Sequence, residues 1–248
     1  MATATRTGNQ FFDNMPASAS EALRPALKRT ALANSRIIYE PGEPMSEILF
    51  PLNSVLSVVL DMRNGDTAEV GIIGCEGMSG LAVVLGHSSS NQRTMVQIPD
   101  SAERMSAEKF RLVLQNDSHL REYSLSYAHA TIMASAQLSA CNSLHTVNER
   151  CARWLLMAHD RVAGDLILLT QDFLSSMLGV RRAGVSVAAA ALQHAGFIAY
   201  TRGQVRVLDR SGLESAACEC YEQVRQQWKA IMGYPIGEKG SDTAAITR

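Results

Sequence analysis

Residues 170–207, TQDFLSSMLGVRRAGVSVAAAALQHAGFIAYTRGQVRV, constrain the fold more than any other stretch of the chain. Thr170 is a helix cap with Asp172 in the favourable first turn, and QDFLSSML then places Phe173 or Leu174 and Met177 or Leu178 on a buried stripe. Gly179 breaks that helix. A second helix follows with Val185, Ala188 and Leu192 on its own stripe, so two short helices joined through a glycine form a helix-turn-helix. FIAY and VRVL, separated by Arg202-Gly203-Gln204, read as a hairpin packed behind it as a wing.

The polar residues of this unit indicate what it does. Arg182, Ser186 and Gln193 lie away from the stripe of the second helix, and alanines keep that helix slim enough for a major groove about 12 Å wide. The paired Arg181 and Arg182 stand at its N-terminal end, the end of a recognition helix that reaches base edges and phosphates. Residues 165–210 carry five arginines against three aspartates, a local charge of +2. The whole chain has a net charge of −1, which argues against a protein that coats nucleic acid over its entire surface.

Upstream the period changes. From Arg36 to about Ile98, short β-branched runs alternate with turn signals, of which Asn64-Gly65 is the strongest, and GLAVVLG and RTMVQIP continue the pattern. This predicts a roll or barrel of antiparallel strands. Ahead of it, EALRPALKRTALAN predicts a short helix. After it, SAEKFRLVLQNDSHL predicts another, and a helix of about 27 residues runs from Asp117 to Ser143 with Leu120, Tyr127, Ala130, Ala134, Leu138 and Cys141 in phase. Such a helix spans about 40 Å, and its small residues (Ala128, Ala130, Ala134, Ser135, Ala136, Ala140) suit a two-fold seam with a second copy. A further helix carries Val147, Cys151, Trp154, Leu155 and Ala158 on one stripe, and DLILLT leads as a linker or strand to the helix-turn-helix.

Past the hairpin, Ser211 and Glu214 read as a capping box opening a last helix with Leu213, Ala217, Tyr221, Val224 and Trp228 in phase. GEKGSDTAAITR follows as a disordered end. The division expected is an N-terminal extension at 1–22, a roll at 23–116, a dimerisation helix at 117–145, a winged helix-turn-helix at 146–213 and a C-terminal helix and tail at 214–248. The fold class is α+β.

No Gly-rich phosphate loop, nucleophile elbow or His-and-carboxylate cluster at metal spacing is present, which argues against an enzyme. His194, on the second helix, reads as a surface residue. The five scattered cysteines suit a reducing, cytoplasmic compartment, and Cys218-x-Cys220, with no second pair nearby in sequence, is not read as a metal site. No apolar run is long enough for a membrane helix, and the opening MATATRTGNQFFDNMP lacks the apolar core of a secretory signal.

A roll with Pro-Gly-Glu at 41–43, a long helix and a winged helix-turn-helix, in that order, resembles the cyclic-AMP receptor protein/Fnr family of bacterial transcription regulators over roughly residues 23–213. The likeness is strongest in TQDFLSSMLGVRRAGVSVAAAALQHAGFI. It implies a homodimer on near-palindromic double-stranded DNA, a cyclic-nucleotide-binding-like roll that senses a signal, and RNA polymerase as a further partner of an activating member. The residues it marks for DNA are Gln171, Arg181, Arg182, Ser186 and Arg202, with Ala183 and Val187 in place of the family's usual glutamate and second arginine.

Gly80, Leu81, Arg93 and Thr94 fall where the cyclic-AMP-binding members hold the nucleotide, but Leu81 takes the place of the ribose-binding glutamate. Losing that carboxylate costs roughly 1–3 kcal/mol, so cyclic-AMP control is not expected and no cofactor is assigned. Glu76 is the alternative carboxylate, and Arg93 is either an anion ligand or a paired structural arginine. The iron-sulfur mode needs N-terminal cysteines, and none precedes Cys75. Haem sensing through Cys75 and His87 is disfavoured. A competing reading keeps the roll as a small-molecule module and turns the helix-turn-helix into a protein-interaction surface, motivated by Ala183, Gly184 and Val187.

Overall fold

The computed structural model describes residues 6–237; residues 1–5, which open the segment searched for a secretory signal, and residues 238–248 of the expected disordered end lie outside the described residues. The fold begins earlier than the sequence reading expected. Asn9 accepts a hydrogen bond from the Phe12 amide and caps α1 (Gln10–Asn14), which buries Phe11 and Phe12 completely. Both rings pack on Phe50 of the roll.

The helix expected over EALRPALKRTALAN is a correction. Only α2 (Ala17–Leu23) is α-helical; Pro25 sits in a 3-10 turn at Arg24–Ala26, and KRTAL continues as β1 (Lys28–Leu32). A proline removes an amide donor and clashes with the preceding turn, which ends the helix there. The strands β2 (Ile37–Tyr39), β3 (Glu47–Pro51), β4 (Val55–Asp61) and β5 (Thr67–Ile73) follow, with the β4–β5 hairpin turning at Asn64-Gly65 as its sequence predicts.

GLAVVLG is a second correction: it forms a short helix, α3 (Leu81–Val84), instead of a strand. Then come β6 (Arg93–Ile98) and β7 (Asp100–Ser106), the latter extending the sheet region past its expected end. The roll consists of two antiparallel sheets, β1-β7-β3 and β2-β6-β4-β5.

After α4 (Ala107–Asn116), Asp117 caps α5 (Ser118–Leu144), a single helix of 27 residues. Leu120, Tyr127 and Cys141 face inward; of the small residues placed on the expected seam, Ala128 and Ala130 are buried within the chain, Ala134 packs on the roll core and Ser135 donates to the Val70 carbonyl, which leaves Ala136 and Ala140 exposed. The opposite face leaves Leu125 47% and Ile132 56% exposed, one heptad apart, with His129 and Ala136 exposed on the same stripe.

Thr146 and Glu149 make a reciprocal capping box for α6 (Val147–His159). β8 (Leu166–Leu168), α7 (Gln171–Leu178), α8 (Arg182–His194), β9 (Ile198–Thr201) and β10 (Gln204–Val207) complete the winged unit, and β10 pairs with both other strands. The expected last helix is two. Asp209, not Ser211, caps α9 (Arg210–Ala216), Glu214 pairs instead with Arg210 at 2.9 Å, and the chain becomes extended at Ala217 before α10 (Cys220–Met232). α10 then runs back along α5, setting Trp228 edge-on to Tyr127 at 5.8 Å.

The largest apolar core packs the roll against α1, α5 and α10, and a small cluster of Leu32, Leu49, Leu56, Val96 and Ala102 joins the two sheets of the roll. A second large core fills the winged unit and includes Val55, Val59 and Ile98 of the roll, so the two halves share a packed seam.

Candidate nucleic-acid interface and sensor cavity

The turn between α7 and α8 is shaped by two features. Gly179 has φ +61°, a left-handed conformation that a β-carbon disfavours, and it closes α7. Buried Arg150 of α6 donates to the Leu178 carbonyl, one of the unpaired carbonyls at the end of α7. Val185, Ala188 and Leu192 seat α8 in the core, as their spacing predicts.

The exposed face of α8 and the wing enclose an open groove of about 470 Å³ lined by Gln171, Asp172, Arg182, Ser186, Gln193 and Arg202. Ser186 donates to Gln171 Oε1 at 2.8 Å, which ties α8 to the start of α7. Gln193 Oε1 accepts from the Tyr200 amide at 2.8 Å and ties α8 to the wing. Arg182 is exposed and lies 3.2 Å from Asp172, also exposed. Arg202 and Gly203 turn the wing with φ of +27° and +81°, positive at both central residues as in a type I′ hairpin turn.

Four of the five residues marked for DNA thus line one groove; the fifth, Arg181, is the exposed residue preceding α8 and is not part of the lining. Gln193, read in sequence as polar and outward, is here a brace for the wing. Val187 is 67% exposed on the same helix, and His194 is exposed. Arg210, counted in the local charge, points away: it pairs with Asp160 at 2.6 Å and with Glu214.

The second site is a cavity of about 350 Å³ between the β4–β5 side of the roll, α3, α5 and α10. Its wall is mainly apolar, including Val58, Leu81, Leu138 and Trp228, with Glu69, Arg153 and Arg161 as its charged members. Gly80 and Thr94 also line it, but Arg93 does not. The Arg93 guanidinium is held at 2.9 Å by Glu40 and 3.0 Å by Asp61, so two carboxylates already match its charge. Glu76 is buried elsewhere, paired with Arg161 at 2.9 Å. Cys75 is buried, His87 is exposed, and neither reaches the cavity.

Two polar clusters escaped the sequence reading. On the seam between the halves, Glu69 of β5 accepts hydrogen bonds from Ser57 at 2.6 Å and from the Trp154 indole of α6 at 2.9 Å. Burial pushes its carboxyl up to about 7, against the opposing pull of those hydrogen bonds and of Arg153 and Arg161. Glu69 interrupts an otherwise apolar strand, a signal readable in the sequence. The other cluster overturns the solitary status given to Cys218 and Cys220: Cys141 in the last turn of α5 and His145, the residue that follows that helix, come together with them.

The geometry is that of a winged helix-turn-helix reading head carried by a cyclic-nucleotide-binding-like roll and a long central helix. Residues 149–216 match the Crp-like helix-turn-helix domain, so the chain carries a domain of that family. The fold is that of the Crp/Fnr transcription regulators. FixK2 from Bradyrhizobium japonicum superposes with a TM-score of 0.64 at 15% identity, covering 77% of this chain and 98% of its own. A transcriptional regulator of the CRP family from Thermus thermophilus gives 0.60 at 18% identity, covering 77% and 96%. The c-di-GMP-responsive global regulator CLP of Xanthomonas campestris gives 0.59 at 14%, covering 77% and 99%. A comparison with curated protein sequences finds no match. Among the described residues no helix is long and apolar enough to cross a membrane.

Proposed function

We propose that the protein is a DNA-binding transcription regulator that grips a near-palindromic site as a homodimer and is not controlled by cyclic AMP. The observation that carries this reading is the groove in which Arg182, Ser186 and Arg202 converge from the recognition helix and the wing. In it Arg182 reads a base edge, Arg202 and Arg181 hold phosphates, and Gln171 and Ser186 set the register of the helix on the backbone. The reading is of a binding protein, not an enzyme.

Homodimerisation is supported by the outer stripe of α5, where Leu125 and Ile132 remain exposed one heptad apart and small residues flank them. Residues 117–145 then form the dimer helix between the roll at 23–116 and the reading head at 146–213. Independence from cyclic AMP is supported by the cavity. Gly80, Leu81 and Thr94 line it, but Leu81 offers no acceptor to a ribose and Arg93 is engaged by Glu40 and Asp61. A wall that is mainly apolar but also presents Glu69, Arg153 and Arg161 favours an effector with an apolar body and a polar group.

Binding to a mixture of genomic fragments over a range of salt tests the function. Neutralised phosphates release counterions, so affinity falls steeply and linearly on a log–log plot if the groove binds DNA. A flat response would favour the protein-interaction reading, for which exposed Val187 and Ala183 on α8 are the motivation.

A further inference from the structure

At the joint between the long helix and the reading head, four side chains of metal-ligating type converge. Cys141 and His145 are contributed by the last turn of α5 and the residue after it, and Cys218 and Cys220 by the break between α9 and α10. One candidate ligand atom from each lies within 4.8 Å of all the others. Cys141 Sγ is 3.4 Å from Cys218 Sγ, and Cys220 Sγ is 3.6 Å from His145 Nδ1. With metal–sulfur bonds of about 2.3 Å and metal–nitrogen bonds of about 2.0 Å, the edges of a tetrahedron run roughly 3.5–3.8 Å.

The surroundings fit an anionic metal centre independently of the ligand count. Glu219 takes His145 Nε2 at 3.1 Å, which leaves Nδ1 with its lone pair directed at the sulfurs; a carboxylate behind a ligating histidine fixes both ring orientation and tautomer. Gln137 Nε2 donates to Cys220 Sγ at 3.0 Å. Arg150 and Arg153 are both buried, and each has an Nε without a hydrogen-bond partner. Two buried cations cost desolvation energy that a nearby negative charge offsets, and both guanidiniums act electrostatically on the cysteine cluster.

We propose that Cys141, His145, Cys218 and Cys220 form a tetrahedral zinc site that clamps α10 to the end of α5. Three thiols and a neutral imidazole bind Zn²⁺ and release three protons, leaving a centre of charge −1 opposite Arg150 and Arg153. Soft thiolates select zinc over magnesium or calcium, and four protein ligands close the site, which makes it structural. Its place is mechanically significant. His145 is followed directly by Thr146, the cap of α6, so the metal immobilises the hinge through which the roll and long helix hold the reading head.

The test uses the full chain, purified under reductant, given one equivalent of Zn²⁺ and dialysed against a competing chelator. Metal analysis should find one zinc per chain. Cobalt in its place should give the visible bands of a tetrahedral ion with thiolate-to-metal charge transfer, lost on adding zinc. Cys218→Ser with Cys220→Ser should abolish retention. Glu219→Gln, at an exposed position, should weaken zinc binding about 10–100-fold while circular dichroism stays that of the parent. Loss of zinc from the unaltered protein on dialysis, an octahedral cobalt spectrum, iron with inorganic sulfide in the protein as purified, or a Cys141–Cys218 disulfide found by peptide mapping would each overturn the assignment.

Discussion

The Trp154 indole donates a 2.9 Å hydrogen bond to Glu69 Oε1, joining the first helix of the winged unit to a strand of the roll across a seam buried on both sides. Ser57 donates to the other carboxylate oxygen and also lies against Gln97, whose Nε2 is otherwise without a partner. A hydroxyl has one proton to give, so an amide oriented with its NH₂ toward Ser57 satisfies all three groups at once.

This carboxyl makes stability depend on pH. Burial raises it from 4.5 to about 7 in the folded chain. Between those values the folded protein holds a proton that the unfolded chain has lost, so its stabilising contribution is complete below about pH 4.5 and is lost as pH rises through 7. Glu69→Gln removes the titration. At pH 8 it should be more stable than the parent by up to about 3 kcal/mol, converging with it near pH 4.5, in urea unfolding followed at both pH values. Identical pH profiles for the two proteins would show that Glu69 does not titrate in this window.

The Arg161–Glu76 pair is the second tie across the seam, with both side chains almost fully buried. Arg161→Met leaves a buried carboxylate unpaired and should cost about 3–5 kcal/mol in unfolding free energy. Adding Glu76→Gln should recover much of that loss. A double variant as unstable as the single one would show that Arg161 acts through the packing of its stem against Gly74, not through its charge.

On DNA, Arg182→Ala should cost roughly 1–3 kcal/mol and relax selection at one base pair, whereas Arg202→Ala should weaken all sequences alike and lower the salt slope by about 1. Titrations of specific and random duplexes at several salt concentrations separate the two. Equal losses on both duplexes for Arg182→Ala would remove its role in reading bases.

The α5 stripe predicts the oligomeric state. Leu125→Glu with Ile132→Glu puts like charges opposite one another across a two-fold seam and should give a folded monomer by light scattering, with palindrome affinity falling toward that of a half-site. A dimer that survives both changes would move the interface elsewhere.

The reading head was legible because its signals are local: a cap, a glycine in the left-handed region, a stripe every three or four residues and a tight turn. The long helix was legible for the same reason. What escaped depends on partners far away in sequence. KRTAL became a strand because β7 lies beside it, pairing Lys28 with Arg104 and Leu32 with Asp100. Phe11 and Phe12 form an isolated apolar pair in a polar stretch, and their burial is decided by Phe50. The break at Ala217 lies within an unbroken helical stripe. Cys-x-x-x-His at 141–145 and Cys-x-Cys at 218–220 are each weak motifs, and the return of α10 along α5 is what joins them.

The most direct test of the account is selection of bound sequences from random DNA by the purified protein, with and without cyclic AMP at one fixed salt concentration. The predicted result is a near-palindrome enriched equally in both conditions. Enrichment that requires the nucleotide would contradict the reading of Leu81 and Arg93, and no enrichment in either condition would contradict the assignment of the Arg182 groove to DNA.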